Sequence, residues 1–112
     1  MPTLSMARDR KWTPRPDTSG WERCGLYNDK RDPSEGKASY TTLNRVGAGG
    51  KVSNYSVEWD WEIYVLEGEL VIGGVSLGPH DHAVIAARES FSCEAPHGCV
   101  LLTVGHLERC SF

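Results

Sequence analysis

The sequence has no basic surplus, no long apolar run and no closely spaced cysteine pair, and each absence excludes a class of protein. Its 112 residues carry a formal net charge of -3, whereas binding to nucleic acid or to a membrane surface usually requires a basic face. No apolar run approaches the roughly 20 residues that a membrane-spanning helix needs. We therefore predict no nucleic-acid partner and no membrane partner, and we expect the chain to bind a small molecule or another protein.

The four cysteines do not have the spacing of a structural zinc site. Cys24, Cys93, Cys99 and Cys110 include no CxxC pair. The initial segment MPTLSMARDRKWTPRPD lacks the apolar region of a secretory signal, so the expected location is cytoplasmic. We expect free thiols in that reducing compartment, and a disulfide between Cys93 and Cys99 across a hairpin is the less favoured alternative.

A helical pattern longer than two turns is also lacking, and short β-type runs take its place. Residues 1–20 hold three of the six prolines, which predicts an extended N-terminal arm. From Trp21 onward, runs such as ASYTTLNRV, WEIYVLE and CVLLTVGHL alternate with turn segments such as GAGG and APHG. This spacing predicts an all-β sandwich or barrel, with residues 21–112 forming a single domain around one core.

The segment from Gly49 to Gly68 resembles the first motif of the cupin family, G(X)5HXH(X)3-4E(X)6G. The spacing matches throughout, and the phrase YVLEGEL is typical of the end of this motif. The second motif, G(X)5PXG(X)2H(X)3N, can be aligned with His80, Ala86, Arg88, Phe91 and Ala95. The region before the first motif is similar to small cupins related to the ChrR-type domain. The resemblance covers residues 12–106 and implies an all-β cupin barrel, also called a double-stranded β-helix or jelly roll.

The same resemblance implies where a metal would bind, and the residues there are poor metal ligands. Cupins of this kind usually hold a divalent metal with three histidines and one glutamate, and the corresponding positions are Tyr55, Val57, Trp61 and Phe91. Valine and phenylalanine carry no donor atom, and indole donates none in practice. We therefore predict no metal and no other cofactor. A relocated metal site using the HxH pair of His80 and His82 is the weaker alternative.

Strand periodicity predicts which side chains face the interior of the barrel. Alternate residues of a strand point to one side of the sheet. The predicted inner surface therefore carries Ser53, Tyr55, Val57, Trp59, Trp61, Ile63, Val65, Phe91 and Cys93. Two interpretations stay open. Bulky side chains fill the interior completely, as in many small barrels, or they line an aromatic pocket for a ligand.

The resemblance to small cupins without metal ligands favours a metal-independent enzyme of a biosynthetic pathway. It would bind a small, largely apolar or planar substrate and guide cyclisation, isomerisation or elimination by proton transfer. The predicted catalytic residues are Tyr55, Cys93, Glu62 and His82, and the predicted substrate-binding residues are Ser53, Val57, Trp59, Trp61, Ile63 and Phe91. The alternatives are a non-catalytic binding or sensory module and a metal-dependent dioxygenase with relocated histidines. The resemblance also implies a homodimer, since small cupins commonly pair through an exposed sheet edge, and the long N-terminal arm of this chain could cross to a partner.

Overall fold

A computed structural model describes residues 6–15, 18–28 and 37–108. One 3-10 turn (Ala7–Asp9) precedes the strands β1 (Thr13–Pro14), β2 (Ser19–Asn28), β3 (Lys37–Tyr55), β4 (Asp60–Gly68), β5 (Leu70–Ile72), β6 (Val75–Leu77), β7 (His82–Ile85), β8 (Phe91–Ala95) and β9 (Cys99–Glu108). Within the described ranges, no helix is long and apolar enough to span a bilayer. The all-β prediction is confirmed.

The strands of the described ranges form one antiparallel sheet that curves into a nearly closed barrel. The main path of the sheet follows the order β6-β5-β8-β3-β9-β4-β7. Strand β2 pairs with β3, and β1 pairs with β2. Neighbouring strands are often far apart in sequence, so the barrel interior collects side chains from distant segments.

The long strand β3 connects two parts of the barrel. Its residues 37–46 pair with β9, and its residues from Gly50 to Tyr55 pair with β8. The sequence indicates a turn at the GAGG segment between these halves, but the chain bends there without leaving the sheet. Gly49 has a φ of +81°, which glycine adopts without steric cost, so the strand can change direction at this point.

The interior of the barrel changes character along the strands. At one end, Val65 of β4 lies opposite Leu101 of β9, and both are fully buried with Ile63 and Leu70. Four residues along the same pair of strands, Trp61 lies opposite Gly105. Apolar side chains therefore close one end of the barrel, and the other end is left for a site.

The predicted N-terminal arm contributes to the sheet. Thr13 and Pro14 pair with Arg23 and Glu22, and β2 itself begins at Ser19, so sheet pairing starts before Trp21. Residues 1–5 and 16–17 of the predicted arm lie outside the described residues, as does Cys110.

Candidate functional site

A cavity of about 340 Å³ opens at the end of the barrel that the apolar core does not fill. Its walls come from β2, β3, β4 and β9, from the segment between β3 and β4, and from Arg15 just after β1. This volume lies within the usual range for small-molecule sites. The interior is therefore not completely filled, and the interpretation as an aromatic pocket fits the geometry.

Three aromatic rings meet beside this cavity. The ring centroids of Tyr55 and Trp61 are 6.3 Å apart, those of Tyr55 and Phe91 are 5.9 Å apart, and those of Trp61 and Phe91 are 5.3 Å apart. Such distances are typical of edge-to-face and tilted aromatic pairs. Tyr55 and Trp61 line the cavity, whereas Phe91 packs behind them. Residues from β3, β4 and β8 thus converge on one point.

These rings, with Val57, occupy the positions that correspond to metal ligands in the cupin motif. Only the phenol oxygen of Tyr55 is a donor atom, and one such donor does not hold a divalent metal. Among the residues described, no group of three or more His, Cys, Asp or Glu is placed to bind a metal. The donor set at this site therefore does not fit the metal centre that the motif implies.

Trp59 reaches the cavity from a loop rather than from a strand. It lies between β3 and β4, and its indole packs on Gly105, where an added Cβ would lie 2.8 Å from Trp59 Nε1. Its ring centroid is 5.8 Å from that of Tyr40, which also lines the cavity. The role of Gly105 was not predicted from the sequence, although a glycine inside the run CVLLTVGHL is a signal of close approach.

A hydrogen-bonded wall formed by Asn44, Thr42 and Thr103 lies on the sheet side of the cavity. The Asn44 side chain is buried. Its Oδ1 accepts a bond from Trp21 Nε1 at 2.9 Å, and its Nδ2 donates to Thr103 Oγ1 at 3.1 Å and to the Thr42 carbonyl at 3.3 Å. Because Asn44 is engaged on both ends of its amide, it fixes the wall. Sequence reasoning missed this network, since the alternation of Tyr40, Thr42 and Asn44 within ASYTTLNRV was its only signal.

Two arginines, Arg15 and Arg23, also line the cavity, and no sequence pattern predicted their position. The Arg15 guanidinium lies 4.2 Å from the ring centroid of Tyr55 and 5.4 Å from that of Trp21. Its backbone N–H donates to the Trp21 carbonyl at 2.8 Å. Arg23 is the cross-strand partner of Asn44, so its side chain projects from the cavity face of β2.

The predicted inward orientation of Ser53 is wrong. Ser53 is exposed, and its neighbour Val52 is buried instead. The pairing of β3 with β8 shifts register between Val52 and Tyr55, and Asn54 has a φ of 51°. A bulge of this kind reverses the side of the sheet to which a residue points, so Tyr55 faces inward although strict alternation from Val52 would turn it outward.

Two further predicted site residues lie in the core instead of the cavity. Ile63 is 1% exposed and Cys93 is 4% exposed, and both belong to the buried apolar cluster. Neither lines the cavity. Their side chains belong to the core against which Tyr55, Val57 and Trp59 of the cavity wall pack.

The predicted catalytic residues Glu62 and His82 do not line the cavity. His82 Nε2 lies 3.0 Å from Glu62 Oε1, and the Tyr64 hydroxyl donates to the same carboxylate oxygen at 3.2 Å. Glu62 follows Trp61 on β4, and the alternation of strand residues turns it to the outer face. The expectation that Glu62 and His82 act on a ligand in the barrel is therefore corrected.

Cys93 and Cys99 have thiols that burial makes weakly acidic. Burial raises the pKa of Cys93 to about 11, although the Arg15 charge and a hydrogen bond with the Val52 backbone oppose the rise. Burial also raises the pKa of Cys99 to about 12, and the neighbouring Cys93 adds to that effect. Cys24, Cys93 and Cys99 are free. At neutral pH, Cys93 is therefore a protonated thiol and a poor nucleophile.

We expect these thiols to make stability depend on alkaline pH. Because their pKa values are higher in the folded than in the unfolded chain, their contribution is complete below about pH 8.5 and is lost as pH rises towards 11 and 12. Urea unfolding between pH 7 and pH 10.5 should show this loss, and Cys93→Ala should reduce it. An equally steep loss in the double variant Cys93→Ala/Cys99→Ala would contradict the assignment.

Comparison of the whole backbone with solved structures identifies the fold. An RmlC-like cupin from Shewanella frigidimarina superposes with a TM-score of 0.77 at 17% identity, covering 97% of this chain and 94% of that one. The chain has the cupin fold. The cupin barrel predicted from the sequence is thereby confirmed.

Two further solved cupin-fold structures are similar to this barrel. The polyketide cyclase RemF from Streptomyces resistomycificus gives a TM-score of 0.77 at 22% identity, covering 96% of this chain and 81% of that one. An acetylacetone dioxygenase from Acinetobacter johnsonii gives a TM-score of 0.72 at 11% identity, covering 94% of this chain and 72% of that one. No protein-family model and no curated protein sequence matches the chain. At these identities the likeness concerns the cupin fold, which hosts more than one chemistry.

Proposed function

We propose that this cupin binds a small planar organic molecule in the barrel cavity and guides its cyclisation, isomerisation or elimination without a metal. The observation that carries the proposal is the cavity itself, whose walls include Tyr40, Tyr55, Trp59 and Trp61. Aromatic side chains bind flat ligands by stacking and edge contacts. The side-chain amide of Asn44 is hydrogen-bonded at both its oxygen and its nitrogen, so it keeps one wall of the cavity rigid. A rigid wall favours a single orientation of the ligand.

Tyr55 is the group proposed to take part in the chemistry. It lines the cavity, and contacts with Trp61 and Phe91 hold its ring. A phenol can donate a hydrogen bond or a proton to a ligand carbonyl while the adjacent C–H bond breaks. The electron pair of that C–H bond forms the C=C bond of the enol, and the π pair of the carbonyl moves to its oxygen, which takes the proton or hydrogen bond of Tyr55. The carbon-bound proton leaves to water at the open mouth of the cavity, and water returns a proton to Tyr55 where the phenol has given one up. This enolisation step is common to cyclisation, isomerisation and elimination next to a carbonyl group.

The comparisons offer one supporting precedent and one contrast. RemF is a polyketide cyclase, and cyclisation of a carbonyl-rich chain is a reaction that enolisation would begin. The acetylacetone dioxygenase suggests oxygen chemistry instead. Tyr55 is the one donor at the metal-ligand positions of this chain and does not hold a metal alone, so the proposal follows a reaction that proton transfer by itself can drive.

A non-catalytic binding module is the second candidate, and the lining of the cavity favours it in one respect. Among the side chains that the structure describes, no carboxylate or imidazole lines the cavity. Tyr55 and Tyr40 are then the proton donors at hand, and a general base would have to be water. An enzyme without a built-in base is slower than one with a positioned base.

The test uses 2-tetralone, a flat bicyclic ketone, as the probe. We expect it to bind with a change in tryptophan fluorescence and to exchange its α-protons faster in D2O when the protein is present, as followed by proton NMR. Tyr55→Phe should retain binding and lower the catalysed exchange by about 100-fold, because it removes the hydroxyl and keeps the ring.

The controls separate the two candidate functions. Binding without catalysed exchange would favour the binding module, and exchange that survives Tyr55→Phe would remove Tyr55 from the mechanism. Failure of 2-tetralone and of related flat ketones to bind would contradict the whole proposal. Ser53→Ala, on the exposed side of β3, is the matched control that should change neither quantity.

The homodimer and the cytoplasmic location remain parts of the proposal. The outer face of the sheet carries Leu43 of β3 opposite Leu102 of β9, and Val84 of β7 is 65% exposed. An apolar outer face of this kind is consistent with pairing of two copies.

A further inference from the structure

The cavity presents positive charge, and no described acidic residue is among its lining residues. Arg15 and Arg23 line it, and none of the Asp and Glu residues whose side chains the structure describes stands beside them in the wall. Two arginines outside the cavity do have acidic partners. Arg45 pairs with Glu22 at 3.1 Å, and Arg88 pairs with Glu58 at 3.3 Å. Among the described residues, neither cavity arginine has an acidic partner within 4.0 Å.

Hydrogen bonds and a ring contact hold Arg15 in place. Its N–H and carbonyl are both bonded, to the Trp21 carbonyl at 2.8 Å and to the Thr18 hydroxyl at 2.8 Å. Its guanidinium lies on the ring of Tyr55 at 4.2 Å, and a stacked guanidinium keeps its N–H edge available for an anion. A preorganised donor of this kind costs little to order when a ligand binds.

The hydrogen-bonding groups around the cavity are unbalanced towards donors. The amide oxygen of Asn44 is already taken by Trp21 Nε1. The indole N–H of Trp61 is buried and has no hydrogen-bond partner among the described residues. Together with the two guanidinium groups, this leaves donors without acceptors in and beside the cavity. A buried donor without a partner is costly, so a ligand that supplies acceptor oxygens would be favoured.

We propose that the planar ligand also carries a carboxylate, separate from the carbonyl group that reacts, with its ring against Tyr55, Trp59 and Trp61 and its carboxylate on Arg15 and Arg23. The inference rests on the proposed function and adds the charge of the ligand to it. Guanidinium groups match carboxylates with paired, charge-assisted hydrogen bonds. An anion therefore gains from the site what a neutral molecule of the same shape does not.

The experiment compares 2-naphthoate with its uncharged counterpart naphthalene-2-carboxamide, with binding followed by tryptophan fluorescence and by calorimetry. We expect the wild-type protein to bind the carboxylate at least 10-fold tighter, because hydrogen bonds between charged groups are stronger than those between neutral groups. The preference should weaken as salt concentration rises. Arg15→Gln and Arg23→Gln should each reduce it, and the double variant should abolish it.

Lys51→Gln is the matched control, because it removes one positive charge from an exposed position outside the cavity and should leave the preference unchanged. Equal affinity of the wild-type protein for the two probes would overturn the anion assignment and leave the proposed function standing. Failure of both probes to bind would overturn both. Should the arginine variants fail to fold, the comparison of probes and its salt dependence on the wild-type protein still decide, since a preference insensitive to salt would contradict the arginine contacts.

Discussion

Trp61→Ala is expected to lower the free energy of unfolding by about 3–5 kcal/mol. Trp61 is only 7% exposed, and its ring packs against those of Tyr55 and Phe91. Alanine would leave a void where the cavity meets the core, and the neighbouring rings are fixed by their own strands. For a domain of this size, such a loss is a large part of the total stability. Urea unfolding followed by circular dichroism measures it.

Two variants show whether packing causes that loss. Trp61→Phe keeps a ring and removes the buried indole N–H that has no partner among the described residues, so it should cost less than half as much. Trp59→Ala removes an indole that is only partly buried, on the loop between β3 and β4, and should also cost less. A loss for Trp59→Ala equal to that for Trp61→Ala would show that the loop, rather than the three-ring cluster, stabilises this end of the barrel.

Gly68→Ala is expected to destabilise the protein by about 2–5 kcal/mol, the sum of a backbone cost and a steric cost. Gly68 has a φ of +80°, and a Cβ there would lie 2.9 Å from Cys99 Cα and 3.1 Å from the Gly98 carbonyl carbon. These atoms belong to the backbone that pairs β4 with β9, so they cannot move aside as a side chain would. Thermal and urea unfolding should both show the change.

Gly74→Ala is the matched control for this prediction. Gly74 has nearly the same conformation, with a φ of +82°, and an added Cβ there meets no described atom within 4 Å. It should show the backbone cost alone, about 1–2 kcal/mol. Equal losses for Gly68→Ala and Gly74→Ala would mean that the close approach of β4 and β9 carries no steric cost.

The sequence predicted β4 well because its pattern is local. Trp61, Ile63 and Val65 alternate with polar residues, and all three are buried. The same alternation placed Glu62 on the outside, where it is found with His82. Selecting these two residues as catalytic followed their chemical type and ignored the parity of the strand, and neither residue lines the cavity.

The predicted inward orientation of Ser53 was wrong for the opposite reason. The prediction used a local pattern at a position where a contact with a distant strand decides the orientation. The inward turn of Tyr55 depends on the bulge that forms when β3 pairs with Phe91 and Cys93 of β8. One extra residue reverses the parity of the strand, and the partner that imposes the bulge lies far along the chain.

By itself, the sequence determined the alternation of β4 and the absence of histidine at the positions that match the cupin metal motif, because both depend on residue type and spacing within one segment. Its resemblance to the cupin motif indicated the fold. Only the tertiary structure decided which side chains line the cavity. Arg15 reaches the ring of Tyr55 through the pairing of β1 with β2 and of β2 with β3. Gly105 leaves room for Trp59 because β9 lies between β3 and β4. Contacts between distant strands carry no local signature, so the charge and shape of the site appear only when the barrel closes.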